Sequence, residues 1–267
     1  MGDQNDAIGQ AVELARREIP PYVEVLLYEI REKQGYFGVA SAVYVQVGER
    51  IVAVTCEHVV AKAARVWIGV PRLARPQVPD DTSNLLTDPP ATALESNGLA
   101  DLAIIEAKDI RLQEHGKRPY LFSDSSWITR DSLQRNVGTL SFVYGVWGDK
   151  TTMIPYPDGI NFAETPIAFL CGPIHLMDES LVVGDYTNRN VQINTDAFPA
   201  IQEESPPPKS RDLKGTSGAG LWINRDGKMN LAGILCGPYP CPVNQQLIKF
   251  TPVWVLREWL VRVGFRA

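Results

Sequence analysis

The sequence lacks a surplus of positive charge. Its 26 Lys and Arg residues are outnumbered by 31 Asp and Glu residues, which gives a formal net charge of −5 and an isoelectric point near 5.3. Proteins that hold nucleic acid through its phosphates need a basic surface, and these totals indicate none. We therefore expect no nucleic-acid partner.

Long apolar runs are also missing. No stretch of about 18 apolar residues occurs anywhere in the sequence, so no membrane-spanning helix is expected. The first residues, MGDQNDAIGQ, contain neither the basic segment nor the apolar segment of a secretory signal. These absences predict a cytoplasmic protein with no membrane partner.

Cysteine is scarce, with only Cys56, Cys171, Cys236 and Cys241. A secreted domain of this length that relied on disulfides would have a denser set, so free thiols are expected. The sequence leaves the disulfide state of Cys236 and Cys241 open. The same pair, in CGPYPC, has ligand chemistry suited to a metal, but no second pair and no histidine follows it. We predict no metal site and no other cofactor.

Short strand-like segments make up most of the chain. From Tyr22 onward, β-branched and aromatic runs such as VEVLLYEI and GVASAVYVQV alternate with Gly, Pro and charged breaks. The long helical crossovers that a parallel α/β fold needs between its strands are missing. The pattern predicts an all-β protein made of two successive modules, each a barrel or a sandwich.

Longer runs with helical spacing occur near the two ends. Residues 6–19 place apolar residues on one helix face, with Asp6 as the N-cap and a Pro-Pro pair as the stop. The C-terminal run PVWVLREWLVRVGF has similar spacing and predicts a packed terminal helix. One further hypothesis is that residues 6–19 dock onto a regulatory protein partner.

Two polar residues stand at the edges of apolar segments. His58 lies where AVTCE passes into a short helical segment, so its ring either projects into a cleft or bonds to a neighbouring carbonyl. Asp101 opens an apolar strand, where a buried carboxylate needs a partner. That partner is either a histidine N–H or the backbone of a local turn. His115 and His175 lack such settings and are expected to be surface or structural.

The stretch LKGTSGAGLW crowds three glycines around a single serine, Ser217. Such a loop can aim main-chain N–H groups, here those of Gly215 and Ser217, at an oxyanion beside a nucleophile. A tight hairpin turn is the alternative. If His58 lies next to Ser217, the imidazole can accept the hydroxyl proton and return it to a leaving group.

Taken in order, TCEHVV, ADLAII and GTSGAG resemble the His, Asp and Ser segments of the trypsin-like (chymotrypsin-fold) serine peptidases, in the style of their intracellular bacterial members. The resemblance covers about residues 22–265. It implies an all-β fold of two six-stranded antiparallel β-barrels with a helix at each end. The implied domains are an N-terminal helical extension (1–21), a first barrel that carries His58 and Asp101 (22–125), and a second barrel that carries Ser217 and the C-terminal helix (126–267).

The resemblance implies a serine endopeptidase that acts on peptide or protein substrates without a cofactor. In that family pattern Ser217 attacks the peptide carbonyl, His58 moves the proton and Asp101 orients His58. The N–H groups of Gly215 and Ser217 form the oxyanion hole.

The same resemblance suggests how a substrate binds. Arg211, with Asp212 beside it, either falls at the floor of the primary specificity pocket or is a surface-exposed arginine. Leu235, Cys236 and Gly237 pair with the extended substrate backbone as an added strand.

Two residues depart from the family pattern. Thr216 stands where secreted members have an Asp that pairs with a freed N-terminal amine, so activation by cleavage is not supported. Ala219 replaces the last glycine of the usual GxSGG. These departures leave an alternative function open, namely a catalytically silent peptide-binding or scaffold module on the same fold.

Overall fold

In the computed structural model, strands account for about half of the residues that are described. The described residues are 2–33, 36–69, 90–107, 112, 116–122, 128–135, 141–146, 148, 152–156, 159–163, 166–171, 174–185, 213–241 and 247–265. The helices among them are α1 (Gly2–Glu18), a 3₁₀ turn (Pro20–Tyr22), α2 (Glu57–Lys62), α3 (Arg130–Arg135) and α4 (Val253–Arg262). The strands of the first half are β1 (Val23–Ile30), β2 (Phe37–Val47), β3 (Arg50–Thr55), β4 (Ala63–Ile68), β5 (Ala93–Asn97), β6 (Leu102–Glu106) and β7 (Tyr120–Leu121). Those of the second half are β8 (Ser141–Val146), β9 (Thr152–Tyr156), β10 (Gly159–Ala163), β11 (Pro166–Cys171), β12 (Ile174–Leu176), β13 (Val182–Asp185), β14 (Gly220–Arg225), β15 (Lys228–Pro238) and β16 (Leu247–Pro252).

The strands form two large sheets, one from each half of the chain. The first sheet has the order β4-β1-β2-β3-β6-β5, all antiparallel, and the short β7 adds to β2 in parallel. The second sheet has the order β11-β8-β14-β15-β16-β13-β12, and β9 and β10 pair separately. The all-β prediction with two antiparallel modules is confirmed. Each large sheet has seven strands where the resemblance implied six, because β7 adds to the first sheet and the short β12 and β13 both join the second.

The two sheets meet along β8, which contacts both β1 and β2. Strands at this seam are covered on both faces and therefore read as nearly continuous apolar runs rather than as alternating ones. In β1, for example, residues 23–27 are all buried. The buried side chains of both sheets belong to one hydrophobic cluster. The seam brings the ends of first-sheet strands close to loops of the second sheet.

Helix α1 begins at Gly2 rather than after Asp6, so the predicted N-cap is wrong. Residues 2–5 include no proline, which is the residue that most strongly opposes a helix. The apolar face of α1 contains the buried residues Ala11, Val12 and Ala15, and the helix packs against β15. At its end, Glu18 accepts a hydrogen bond from the Met229 N–H at 2.9 Å. This face is occupied within the chain, and a regulatory partner for the helix stays a prediction.

The terminal helix α4 confirms the sequence prediction. It starts directly after Pro252, whose backbone is extended. It ends where Gly264 takes a φ of +94° and donates its N–H to the Val261 carbonyl, while the Phe265 N–H donates to the Leu260 carbonyl.

The domain limits implied at residues 21 and 125 stay predictions. Strand β7 pairs with the first sheet, and β8 is the first strand of the second sheet. None of the helices within the described residues has the length and apolar character to cross a membrane.

Candidate active site

His58 lies in the first turn of α2, directly after β3 ends at Thr55. Cys56 precedes the helix with an extended backbone, so the chain passes from strand to helix within one residue. The His58 side chain is 35% exposed. That this strand-to-helix junction presents the ring at a cleft stays a prediction.

Asp101 lies in the turn between β5 and β6. Its φ of +49° is in the left-handed region, which Asp tolerates better than most residues but which still marks strain. Neighbouring bonds hold the turn: the Ala100 N–H donates to the Asn97 side chain at 3.2 Å, and the Thr251 hydroxyl donates to the Ala100 carbonyl at 2.5 Å. The second sheet therefore helps to fix the position of Asp101 through Thr251 of β16.

The three polar side chains form one hydrogen-bonded chain. The Asp101 carboxylate lies 2.8 and 2.9 Å from Nδ1 of His58, and it also accepts the His58 main-chain N–H at 3.0 Å. Nε2 on the opposite side of the ring lies 3.1 Å from Oγ of Ser217. The structure thus brings together His58, Asp101 and Ser217, which are separated by up to 159 positions along the chain.

The bonds from His58 decide the electrostatics of Asp101. Burial raises the pKa of this carboxyl, but the hydrogen bonds from the His58 ring and N–H and the charges of His58 and Lys249 outweigh burial. The pKa of Asp101 is therefore lowered from its usual value of 3.8. An ionised carboxylate held against Nδ1 keeps the ring proton on that nitrogen, which leaves Nε2 as the acceptor that faces Ser217.

The lowered pKa of Asp101 predicts a pH-dependent contribution to stability. Because the pKa of Asp101 is lower in the folded state, its ionised carboxylate stabilises the fold at pH values above the unfolded-state pKa of about 4. This contribution is lost as the pH falls through the folded-state pKa. We expect the free energy of unfolding of the wild type to exceed that of Asp101→Asn at neutral pH. The difference should shrink below about pH 4 when both are measured by urea denaturation. A difference that stays constant down to about pH 2 would contradict this assignment.

The loop around Ser217 is held from several sides. Gly215 and Gly218 both take positive φ angles, +88° and +89°. The Gly218 N–H donates to the Leu235 carbonyl at 2.9 Å, and the Ala219 N–H donates to the Thr216 carbonyl at 2.8 Å. A side chain at Gly215 would collide with the Gly148 backbone, so this close approach requires glycine.

The N–H groups of Gly215 and Ser217 donate to no acceptor within the described part of the chain. Each belongs to a trans peptide in which the carbonyl points the opposite way. The Gly215 N–H shares its peptide with the Lys214 carbonyl, which accepts the Gly148 N–H at 2.8 Å. The Ser217 N–H shares its peptide with the Thr216 carbonyl, which accepts the Ala219 N–H. These bonds fix the orientation of both peptide planes and leave the two donors available to a ligand.

Ser41 is a residue of this site that the sequence analysis missed. Its N–H donates to the Ser217 carbonyl at 2.8 Å, and its hydroxyl donates to the Gly215 carbonyl at 3.0 Å. The same hydroxyl accepts the Val146 N–H at 2.8 Å. Ser41 thereby ties β2 of the first sheet to the Ser217 loop. The signal in the sequence was a single polar residue, fully buried here, inside the apolar run GVASAVYV.

Leu235 and Cys236 lie in β15, and Gly237 follows them at an irregularity in the pairing with β16. The Leu235 N–H already donates to the Ala219 carbonyl at 2.8 Å, and its carbonyl accepts the Gly218 N–H. Leu235 therefore supports the Ser217 loop and has no main-chain N–H left for a substrate. Substrate pairing by Cys236 and Gly237 stays a prediction.

The remaining predicted residues lie away from these three side chains or beyond the described chain. Arg211 and His115 are both outside the described residues. His175 lies exposed on β12. Cys56 and Cys171 are free thiols, as expected, and Cys236 and Cys241, whose disulfide state the sequence left open, are free as well.

Comparisons with known proteins find similarity at the level of structure. No protein-family model matches the sequence, and a search of curated proteins finds no match. Among solved structures, the active form of the Rv3671c protease from M. tuberculosis aligns with a TM-score of 0.48 and 14% identity over 97% of this chain and 85% of its own. The HtrA-type protease AlgW with a tripeptide aligns with a TM-score of 0.48 and 16% identity over 96% of this chain and 62% of its own. The serine endoprotease from Yersinia pestis gives a TM-score of 0.48 and 14% identity over 96% of this chain and 65% of its own.

This chain spans less than two thirds of the length of the latter two proteins. We draw no functional conclusion from similarity at this level. Two successive antiparallel sheets meet at β8, and Ser217 lies beside their junction. The chain has an all-β fold of two successive antiparallel modules.

Proposed function

We propose that this protein is a serine endopeptidase. The single observation that carries the proposal is the continuous chain of hydrogen bonds from Ser217 Oγ through both nitrogens of His58 to Asp101, with spacings of 3.1 and 2.8 Å. A serine hydroxyl is a weak nucleophile unless a base lies within hydrogen-bonding distance, and the base must itself be oriented by a third group.

In the proposed first half of the reaction, Oγ of Ser217 attacks the carbonyl carbon of a peptide bond. Its proton passes to Nε2 of His58, and the carbonyl oxygen becomes an oxyanion. Asp101 stabilises the imidazolium that results, since its carboxylate faces Nδ1 at 2.8 Å. The imidazolium then gives the proton to the leaving amine, and an acyl group remains on Ser217. A water molecule, deprotonated by the same nitrogen, releases that acyl group in the second half.

The N–H groups of Gly215 and Ser217 are proposed to hold the oxyanion. Donors that are fixed in advance stabilise developing charge without a reorganisation cost, and losing one such donor costs about 10²- to 10³-fold in rate. The bonds to the Lys214 and Thr216 carbonyls supply that fixing here. Thr216 also donates its own hydroxyl to the Leu213 carbonyl at 2.6 Å, so the loop is held without an N-terminal amine.

The second candidate function is a peptide-binding or scaffold module that does not turn over its ligand. Peptide binding without turnover does not require proton transfer from Ser217 to His58. Reactivity of the serine therefore separates the two candidates.

A fluorophosphonate probe tests the proposal because it reacts with serines that an adjacent base activates. We expect the wild type to be labelled at Ser217, as located by mass spectrometry of proteolytic fragments, and Ser217→Ala to be unlabelled. Ser180→Ala is the matched control, since Ser180 is an exposed serine whose hydroxyl bonds to Asp178, and its labelling should equal that of the wild type. A folded wild type that binds peptide but takes up no probe would favour the silent module.

A further inference from the structure

Two thiols and a carboxylate lie together next to His58. The sulfur atoms of Cys56 and Cys236 and a carboxylate oxygen of Asp101 are all within 4.8 Å of one another. Cys56 is fully buried and Cys236 is 7% exposed, whereas the Asp101 side chain is 22% exposed. The proposed peptidase reaction uses neither thiol.

The two sheets each contribute one of these thiols. Cys56 directly precedes α2 in the first sheet's half of the chain and donates its S–H to the Leu235 carbonyl at 3.0 Å. Cys236 lies in β15 of the second sheet, and its sulfur is 3.2 Å from the Thr251 hydroxyl oxygen. The Thr251 hydroxyl itself donates to the Ala100 carbonyl, next to Asp101. The same bonds that fix Asp101 therefore also hold Cys236 beside it.

The donor set has a recognisable chemical preference. Thiolates select soft or borderline cations, and zinc commonly combines Cys sulfur with carboxylate oxygen. In a tetrahedral site with metal–sulfur bonds of about 2.3 Å, the two sulfurs lie about 3.8 Å apart. The sulfurs of Cys56 and Cys236 lie within 4.8 Å of each other, which is the range that such a site needs. Three protein ligands leave the fourth tetrahedral position to water, as in sites that stay open to exchange.

We propose that Cys56, Cys236 and Asp101 form a site for a thiophilic divalent cation of the zinc class, and that the bound cation inhibits the enzyme. Both thiols lose their protons on binding, so one dication replaces two protons. The partly exposed carboxylate of Asp101 gives the cation its path to the buried sulfurs. This site differs from the CGPYPC pair of the sequence, because it joins Cys236 to Cys56 rather than to Cys241.

Inhibition is expected because Asp101 would bind the cation with the same carboxylate that bonds to His58. Its two oxygens accept three hydrogen-bonding contacts from His58, at 2.8, 2.9 and 3.0 Å. A cation bound to the same carboxylate competes for its lone pairs and neutralises the charge that stabilises the imidazolium. This consequence rests on the proposed peptidase function, whereas cation binding does not.

Cobalt(II) is the probe for binding, because thiolate ligation gives it a charge-transfer absorption band that oxygen and nitrogen ligands do not give. The full-length reduced protein is titrated with Co²⁺ under anaerobic conditions and then with Zn²⁺. We expect the thiolate band to saturate at one cobalt per chain and to disappear when zinc displaces the cobalt. In Cys56→Ala and in Cys236→Ser the band should be lost, and the affinity for Co²⁺ should be at least about tenfold weaker than in the wild type. Cys241→Ala is the matched control and should keep it.

The wild type also provides a measurement that does not depend on variants. Zinc should protect the thiols of Cys56 and Cys236 from alkylation on partial unfolding, and leave Cys241 reactive. Absence of the cobalt band in the folded wild type, or its persistence in the Cys56→Ala/Cys236→Ser double variant, would overturn the site.

Fluorophosphonate labelling of Ser217 with and without zinc tests the inhibition. We expect zinc to slow labelling of the wild type and of Cys241→Ala, but to leave the rate for Cys56→Ala unchanged relative to its own zinc-free value. Equal zinc sensitivity in Cys56→Ala would overturn the inhibition. If the wild type gives the cobalt band but is never labelled, the peptidase proposal fails and the cation site stands.

Discussion

The His58→Ala variant is expected to hydrolyse peptides about 10⁴- to 10⁶-fold more slowly than the wild type, with the loss in kcat. The imidazole is the only base within hydrogen-bonding distance of Ser217 Oγ in the described chain, at 3.1 Å. Removing it leaves the hydroxyl proton without an acceptor in the transition state. Initial rates on the most readily cleaved member of a fluorogenic peptide library provide the measurement.

Two controls accompany this prediction. His175→Ala removes an exposed histidine on β12 and should leave kcat unchanged. The double variant His58→Ala/Ser217→Ala should be no slower than either single variant, because residues that act as one unit do not contribute additively. A loss of less than about tenfold in His58→Ala would contradict the assigned role.

The Gly218→Ala variant is expected to lower the free energy of unfolding by about 2–5 kcal/mol. Gly218 has a φ of +89°, which costs an L-residue about 1–2 kcal/mol. A Cβ at this position would also collide with the Ser41 carbonyl oxygen and the Thr55 hydroxyl, and relieving such overpacking costs about 1–3 kcal/mol. Because Ser41 and Thr55 belong to the first sheet, the collision acts at the junction of the two sheets.

Gly227→Ala is the matched control for the Gly218 prediction. Gly227 has a similar positive φ of +73° in the turn between β14 and β15, but a Cβ there would meet no atom within 4 Å. We expect it to cost only the backbone term of about 1–2 kcal/mol. Urea denaturation of both variants measures the difference. Equal losses in the two variants would show that the packing against Ser41 is not as described.

The site residues were predictable because each carries a local signal. A histidine at a strand-to-helix junction, an aspartate before an apolar strand and a serine among glycines are visible in short windows of sequence. Their order along the chain then reduced the number of folds that could bring them together. The all-β class could be predicted because the strand-like runs are short and separated by Gly and Pro. The long helical segments that a parallel α/β fold needs are missing between them.

The features that the sequence did not reveal depend on distant contacts. Ser41 reads as one small polar residue in a strand, and its partners Gly215 and Val146 lie 174 and 105 positions away. The approach of Cys56 to Cys236 likewise depends on how the two sheets pack. The start of α1 at Gly2 was missed for a different reason, since helix ends are set by small energy differences among polar residues.

A crystal structure of the protein after reaction with a fluorophosphonate tests the central claim most directly. The account predicts phosphorus bonded to Ser217 Oγ, with the phosphoryl oxygen about 2.7–3.1 Å from the main-chain nitrogens of both Gly215 and Ser217. His58 should then lie between the adduct and Asp101. A phosphoryl oxygen that points away from both nitrogens, or an adduct on another residue, would contradict the account.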